Sequence, residues 1–152
     1  MKYPGLNFPI SSSLLLILTA ACSRHADPER KPAFSEGQWR IILRWQTETE
    51  SNTFGYFVHR AESEQGEMIC LNADAPIHAQ GNSTIPMKYV YFDLSVKPGK
   101  TYFYKLQSKD LDGTSEWIVG ADIPVAATAK PLSASEAGEL KTKGQAYREE
   151  AP

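Results

Sequence analysis

Apolar and polar residues alternate along most of the chain between Trp39 and Val125, with the period of two that is typical of half-buried β-strands. Clusters of glycine, proline, asparagine and aspartate interrupt this alternation, and no helical period lies between them. Short strands at this spacing predict an all-β fold, a sandwich of two packed sheets. The apolar positions that share a face and form the predicted core are Ile41, Leu43 and Trp45, then Phe54, Tyr56 and Val58, then Tyr89 and Tyr91, and finally Tyr102, Tyr104 and Leu106.

The segments before this domain differ from it in composition. Residues 1–21 carry an apolar stretch of about 12 residues, which is too short to cross a membrane but typical of a signal peptide. Residues 22–36 are polar and contain two prolines, Pro28 and Pro32, so we expect a disordered tether. The sandwich domain is assigned to residues 37–125.

Residues 126–152 are rich in alanine, lysine and glutamate. Ser133 and Glu136 have the spacing of a capping box, which favours a helix start. Gly138 and Gly144 weaken such a helix. We therefore expect a flexible C-terminal tail that is either disordered or a marginal, frayed helix.

The leader ends in Leu18-Thr19-Ala20-Ala21-Cys22, where small residues come directly before a cysteine. This run resembles the lipobox of bacterial lipoproteins. The resemblance implies that Cys22 becomes the mature N-terminus and carries a thioether-linked diacylglyceryl group and an N-acyl chain such as palmitate. It also implies a lipid-anchored location in the cell envelope, and Ser23 favours the outer membrane. The alternative is an ordinary secretory signal in which the cysteine is coincidental.

Longer runs within the domain resemble fibronectin type III-like modules of bacterial envelope proteins. The run Trp45-Gln46-Thr47 with the later Gly55-Tyr56-Phe57-Val58-His59-Arg60 is similar to their B and C strands. The run Val96-Lys97-Pro98-Gly99-Lys100-Thr101-Tyr102 is similar to their E–F corner, and Asp110-Leu111-Asp112-Gly113 to their F–G hairpin.

The resemblance implies a single fibronectin type III-like, immunoglobulin-like β-sandwich. In such a fold Trp45 packs centrally, and Tyr102 is the corner tyrosine whose hydroxyl bonds to upstream backbone. A clear strand A is missing before Gly37. We therefore expect one sheet edge to be short or open.

Charge and motif content argue against several classes of function. The 16 Lys and Arg residues nearly balance 18 Asp and Glu residues, which is unlike the basic face of a nucleic-acid-binding protein. His25, His59 and His78 lack the paired spacing of metal ligands. Serine-nucleophile, P-loop and dinucleotide motifs are absent from the sequence, so it predicts no cofactor, no metal site and no enzymatic activity.

Three further residues have competing interpretations. Asp110 and Asp112 have the spacing of calcium ligands, but Asp-Gly is a hairpin signal and no bidentate glutamate follows, so a turn is predicted. Cys70 is expected to be a buried, inert thiol, with a reactive or dimer-forming thiol as the alternative.

Phe57 and Phe103 lie out of phase with the core residues of their strands, and we expect both on the outer face of one sheet. The resemblance places their strands next to each other, which would bring the two rings together as a candidate partner surface. The alternatives are coverage by the tail, through Leu132, Leu140 or Tyr147, and scattered exposure without a function.

Together these features predict a membrane-anchored, non-catalytic binding module. Its partner would be an envelope protein, a peptide or a glycan. The alternative is a structural subunit of an envelope secretion or surface-fibre assembly, in which the open sheet edge accepts a strand from a partner.

Overall fold

Two antiparallel β-sheets and one helix make up the computed structural model, which describes residue 34 and residues 36–151. The expected lipidation site Cys22 and the leader lie outside the described residues. The elements are β1 (Trp39–Thr47), β2 (Thr53–Ala61), β3 (Ile69–Cys70), β4 (Ile77–His78), β5 (Met87–Asp93), β6 (Thr101–Asp110), β7 (Ser115–Val119), β8 (Val125–Thr128), β9 (Lys130–Pro131), α1 (Ala134–Lys143) and β10 (Ala146–Glu150). The predicted all-β sandwich is confirmed.

The first sheet has the strand order β10-β5-β1-β9, and the second has the order β3-β2-β6-β7. Two short strands add to the second sheet, since β4 pairs with β2 and β8 pairs with β6. In the first sheet Trp45 lies opposite Tyr89, and in the second Val58 lies opposite Leu106. Gly55 of β2 has no room for a side chain, because a Cβ there would lie 2.7 Å from the carbonyl oxygen of Ile77.

Most residues of the core between the sheets are ones that the alternation predicts, because one sheet's apolar face is removed from water only against the other. Val58 and Tyr89 have no exposed surface, and Tyr102 is 1% exposed. The prediction is wrong for Phe54, which lies at a register shift in β2 and is not part of the core, and Leu43 and Trp45 are only partly buried against it. The buried members of this cluster are Ile41, Tyr56, Val58, Ile77, Met87, Tyr89, Tyr91, Tyr102, Tyr104, Leu106 and Ala129.

A second apolar cluster lies on the outer face of the first sheet, where the C-terminal segment packs. Val90 and Phe92 of β5 project to this face, and Leu132 and Leu140 of the tail are 2% and 1% exposed against it. The expectation of a disordered or marginal tail for residues 126–152 is therefore wrong. Burial of the tail's leucines supplies stabilisation that helix propensity does not measure.

The helix α1 begins where the capping box predicts. The Ser133 side chain accepts a hydrogen bond from the N–H of Glu136, and the Glu136 carboxylate accepts one from the N–H of Ser133. Glu136 is also bound by the guanidinium of Arg40 on β1. The first turn of the helix is thus attached to the first sheet.

A buried ion pair joins the two sheets. Asp93, which is 1% exposed, lies at the end of β5 and accepts hydrogen bonds from Arg60 of β2 and from the hydroxyl of Tyr104 on β6, both at 2.7 Å. Ser95 satisfies the other carboxylate oxygen through its N–H and its hydroxyl. These hydrogen bonds give Asp93 a structural role at the junction of the two sheets.

Candidate binding site on the open side of the sandwich

The two lateral sides of the sandwich differ in how the sheets meet. On one side Arg148 of β10 donates hydrogen bonds to the carbonyl oxygens of His78 and Ala79, so the edge of the first sheet is attached to the segment around β4. On the other side β1 of the first sheet faces β7 and β8 of the second. Here the chain crosses from β8 to β9 through Ala129, and beyond this crossing a cavity lies between the sheets.

The edge of β1 on this side is mostly unpaired. The short strand β9 pairs only with Trp39 and Arg40 of β1. No other strand among the described residues pairs with residues 41–47 on this side. The prediction of a short or open edge, made from the missing strand A, is confirmed for the part of the chain that the structure describes.

The register of β1 shows which backbone groups face the open edge. The carbonyl oxygen of Gln38 accepts a hydrogen bond from the N–H of Leu132, next to β9, so the backbone groups of Gln38 face the β9 side. Phe92, which lies opposite Ile42, donates its N–H to the carbonyl oxygen of Gln145 on the far side of β5, so Ile42 and Phe92 do not bond to each other. Antiparallel pairing alternates between the two sides of a strand. The N–H and C=O groups of Ile42, Arg44 and Gln46 therefore point out from the open edge.

The opposite wall is an edge strand interrupted by a loop. Both β7 and β8 pair with β6, and the residues between them, 120–124, leave the ladder. Gly120 has φ +72°, which an L side chain rarely adopts, and Pro124 has no N–H to pair. The break places Val119 and Val125 on either side of it, 40% and 49% exposed.

The cavity between these walls has a volume of about 260 Å³ and a mostly apolar lining. A second concavity of about 350 Å³ continues along the same side, past Trp45 toward Thr49. We call the two together the open-side groove. Its apolar lining consists of Leu43, Trp45, Leu106, Val119, Val125 and Ala127.

Trp45 connects both parts of the groove and is held by other aromatic rings. Its indole stacks on Tyr89 with ring centroids 5.4 Å apart and meets Tyr56 edge to face at 5.7 Å. The indole N–H is buried and has no acceptor among the described residues.

A buried carboxylate fixes the two tyrosines behind Trp45. Glu50, 6% exposed, accepts hydrogen bonds from the hydroxyls of Tyr56 and Tyr89 and from the N–H of Gln80. Burial together with this carboxylate raises the pKa of both tyrosines well above their ordinary value. The two hydroxyls donate to one carboxylate, which joins β2 and β5 behind Trp45.

The predicted pair Phe57 and Phe103 does not form a common patch. Their strands do pair, but Phe57 lies opposite Gln107 and Phe103 lies opposite Ala61. Four ladder positions separate the rings, or about 13 Å along the strands. Both rings are half-buried, and they occupy separate places on the outer face of the second sheet.

The tail does not cover these phenylalanines either. Leu132, Leu140 and Tyr147 pack on the first sheet, with Val90 and Phe92. The alternative prediction from the sequence, that the tail covers Phe57 and Phe103, is therefore wrong.

His59 lies on this outer face and makes an edge-to-face contact with Trp117, with ring centroids 4.8 Å apart. Burial lowers the pKa of His59 below its ordinary value of 6.5, and a hydrogen bond with Gln107 opposes the shift only in part. The folded state therefore takes up the proton at lower pH than the unfolded chain does. The folded state therefore keeps its full stability above pH 6.5. It loses stability as the pH falls below 6.5, because the unfolded chain binds the proton first.

We expect His59→Gln to flatten the fall in thermal unfolding temperature as the pH drops below about 6.5. The exposed His78→Gln is the matched control and keeps the wild-type profile. An unchanged profile in His59→Gln would contradict this assignment.

The remaining sequence candidates have structural positions. Asp110 and Asp112 form the predicted β6–β7 hairpin turn, in which Thr114 N–H donates to Asp112 at 2.9 Å. Cys70 is a free, half-buried thiol on β3, which is less buried than predicted. Among residue 34 and residues 36–151, no cluster of three or more histidine, cysteine or acidic residues could hold a metal ion. Within the same residues, no helix has the length and apolarity to span a membrane.

Comparison of the chain with family models, with curated proteins and with solved structures finds no match. The fold and the site together describe an all-β sandwich with one open lateral side.

Proposed function

We propose that this chain is a non-catalytic binding module, anchored by lipid in the bacterial cell envelope, whose binding site is the open-side groove. The groove supports this proposal most directly, because it combines an apolar concavity with unpaired backbone groups. The partner would be an envelope protein, peptide or glycan. The groove's apolar walls favour a protein or peptide over a glycan.

The proposal includes a fibronectin type III-like fold. Two contacts that the resemblance implies support it. The Tyr102 hydroxyl accepts a hydrogen bond from the N–H of Lys97 at 3.1 Å, as a corner tyrosine does, and Trp45 packs against core aromatics.

The lipid anchor at Cys22, with placement in the outer membrane, rests on the lipobox-like run and on Ser23. A second candidate function is a subunit of an envelope secretion or surface-fibre assembly. The open edge of β1 favours it, because such assemblies can join subunits by strand addition.

Photo-crosslinking in intact cells tests the binding module. A photoreactive residue at Val119 or Val125, on the groove rim, is expected to capture a specific envelope partner. The same residue at Leu111, which is 61% exposed on the β6–β7 hairpin, is the matched control and should not capture it. Capture should also fall when Cys22→Ala removes the anchor. Equal capture from the groove and from the hairpin would overturn the proposal.

A further inference from the structure

The open edge of β1 and the groove beside it lie in the geometry that an added β-strand would use. Ile42, Arg44 and Gln46 direct N–H and C=O groups to the edge, as the register shows, and no strand among the described residues pairs with them there. The neighbouring residues Leu43 and Trp45 direct their side chains into the groove. A strand beside β1 would therefore complete its backbone hydrogen bonds and fill the groove at the same time.

This arrangement dictates the side-chain pattern of the occupant. In paired strands, directly opposed residues project to the same face. Residues opposite Leu43 and Trp45 would enter the apolar groove, and the residue between them, opposite Arg44, would lie on the outer face. The occupant thus needs apolar side chains at alternate positions and a polar residue between them.

Charge on the outer rim specifies that polar residue. The Arg44 side chain is 53% exposed, and its nearest carboxylate, on Glu139, is 3.7 Å away. Lys130 makes no salt bridge within the described residues and lines the same rim. A carboxylate opposite Arg44 would meet the Arg44 guanidinium, whereas a cation there would be repelled, and Lys130, opposite Arg40, adds positive charge further along the same rim.

The same charge disfavours a second copy of this chain. The antiparallel register that would pair all three outward-facing residues of β1 with their copies places Arg44 opposite Arg44. Like charges directly opposed across a ladder are destabilising. The edge is therefore better suited to a different chain than to itself.

We infer that the open edge of β1 binds an extended segment of a partner protein by strand addition, with alternate apolar side chains in the groove and an acidic side chain opposite Arg44. This inference rests on the proposed function and names its ligand. The hydrogen bonds from the N–H and C=O groups of β1 would supply affinity for any extended chain, and the groove and Arg44 would supply selectivity.

Peptide binding to the full chain in detergent tests this inference. The probe is a peptide of about nine residues in which valines alternate with serine and threonine around a central glutamate. One control has the same composition in an order without alternation, and a second has lysine in place of glutamate. We expect the first peptide to bind at least about tenfold more tightly than either control. It should also slow hydrogen exchange at the N–H groups of Ile42, Arg44 and Gln46.

Gln46 offers a matched pair of variants that separates backbone pairing from side-chain contact. Its N–H faces the open edge, so Gln46→Pro removes one donor to the occupant and none to β5. Gln46→Ala keeps that donor. We expect Gln46→Pro to weaken binding at least about tenfold with little change in unfolding temperature, and Gln46→Ala to bind as wild type does.

Three results would overturn strand addition. These are equal binding of all three peptides, equal effects of the two Gln46 variants, and a dimer in which the β1 amides become protected without peptide. If crosslinks from Val119 persist in cells after such a result, the binding module remains and only its mode of binding is wrong. If those crosslinks are also absent, the proposed function fails.

Discussion

Asp93→Ala is expected to lower the free energy of unfolding by about 3–5 kcal/mol, because it leaves the guanidinium of Arg60 without its buried partner. Asp93 is 1% exposed and receives hydrogen bonds from two strands of the second sheet, so its loss also leaves the Tyr104 hydroxyl unpaired. Urea unfolding followed by tryptophan fluorescence measures the change. A loss below about 1 kcal/mol would show that water replaces the carboxylate without cost.

Two further variants separate the charge from the hydrogen bonds. Tyr104→Phe removes one hydrogen bond and retains the ion pair, so a loss of about 1–1.5 kcal/mol is expected. The double substitution Arg60→Met with Asp93→Leu removes both charges together. It should be more stable than Asp93→Ala, because no uncompensated charge stays buried.

Leu140→Ala should lower the free energy of unfolding by about 2–5 kcal/mol, since a 1% exposed leucine leaves a cavity between the helix and the first sheet. The exposed neighbour Lys141→Ala is the control, and we expect it to change stability by less than about 0.5 kcal/mol. Both variants are compared by urea unfolding. Equal effects would mean that α1 contributes nothing to the fold, contrary to its packing against Val90 and Phe92.

The sandwich could be predicted because its core residues alternate cleanly with polar ones. In β6 the buried positions Tyr102, Tyr104 and Leu106 alternate with half-buried ones, as period two requires. The open edge was predicted because the sequence before Gly37 has no strand-like pattern. These features are local in sequence, so the pattern of residue types carries them.

The role of the tail could not be predicted from its own residues. Its helix contains Gly138 and few apolar side chains, and Leu132 and Leu140 of the tail pack against β5. A signal was present in β5, where Tyr89-Val90-Tyr91-Phe92 is apolar at every position. Such a run is typical of a strand buried on both faces and therefore of a covering layer.

The position of Phe57 relative to Phe103 shows why the two rings were expected to lie together and do not. Strand phase fixes the face to which a side chain projects, but it does not fix how far one strand slides along its neighbour. The register places four ladder positions between the two rings. The groove residues Val119 and Val125 were missed because the break between β7 and β8 depends on pairing with β6.

The pairing of β10 with β5, and of β9 with β1, sets the order in which this protein can mature. Ala146 of β10 pairs with Tyr91 of β5, and Lys130 of β9 pairs with Arg40 of β1. The first sheet is therefore built from segments that lie far apart in the sequence. A nascent polypeptide leaves the ribosome or a translocation channel from its N-terminus, so these partners emerge long after β1 and β5 do. The first sheet therefore gains both of its outer strands only after residues 130–150 have emerged, and pairing between such distant segments is expected to make folding slow.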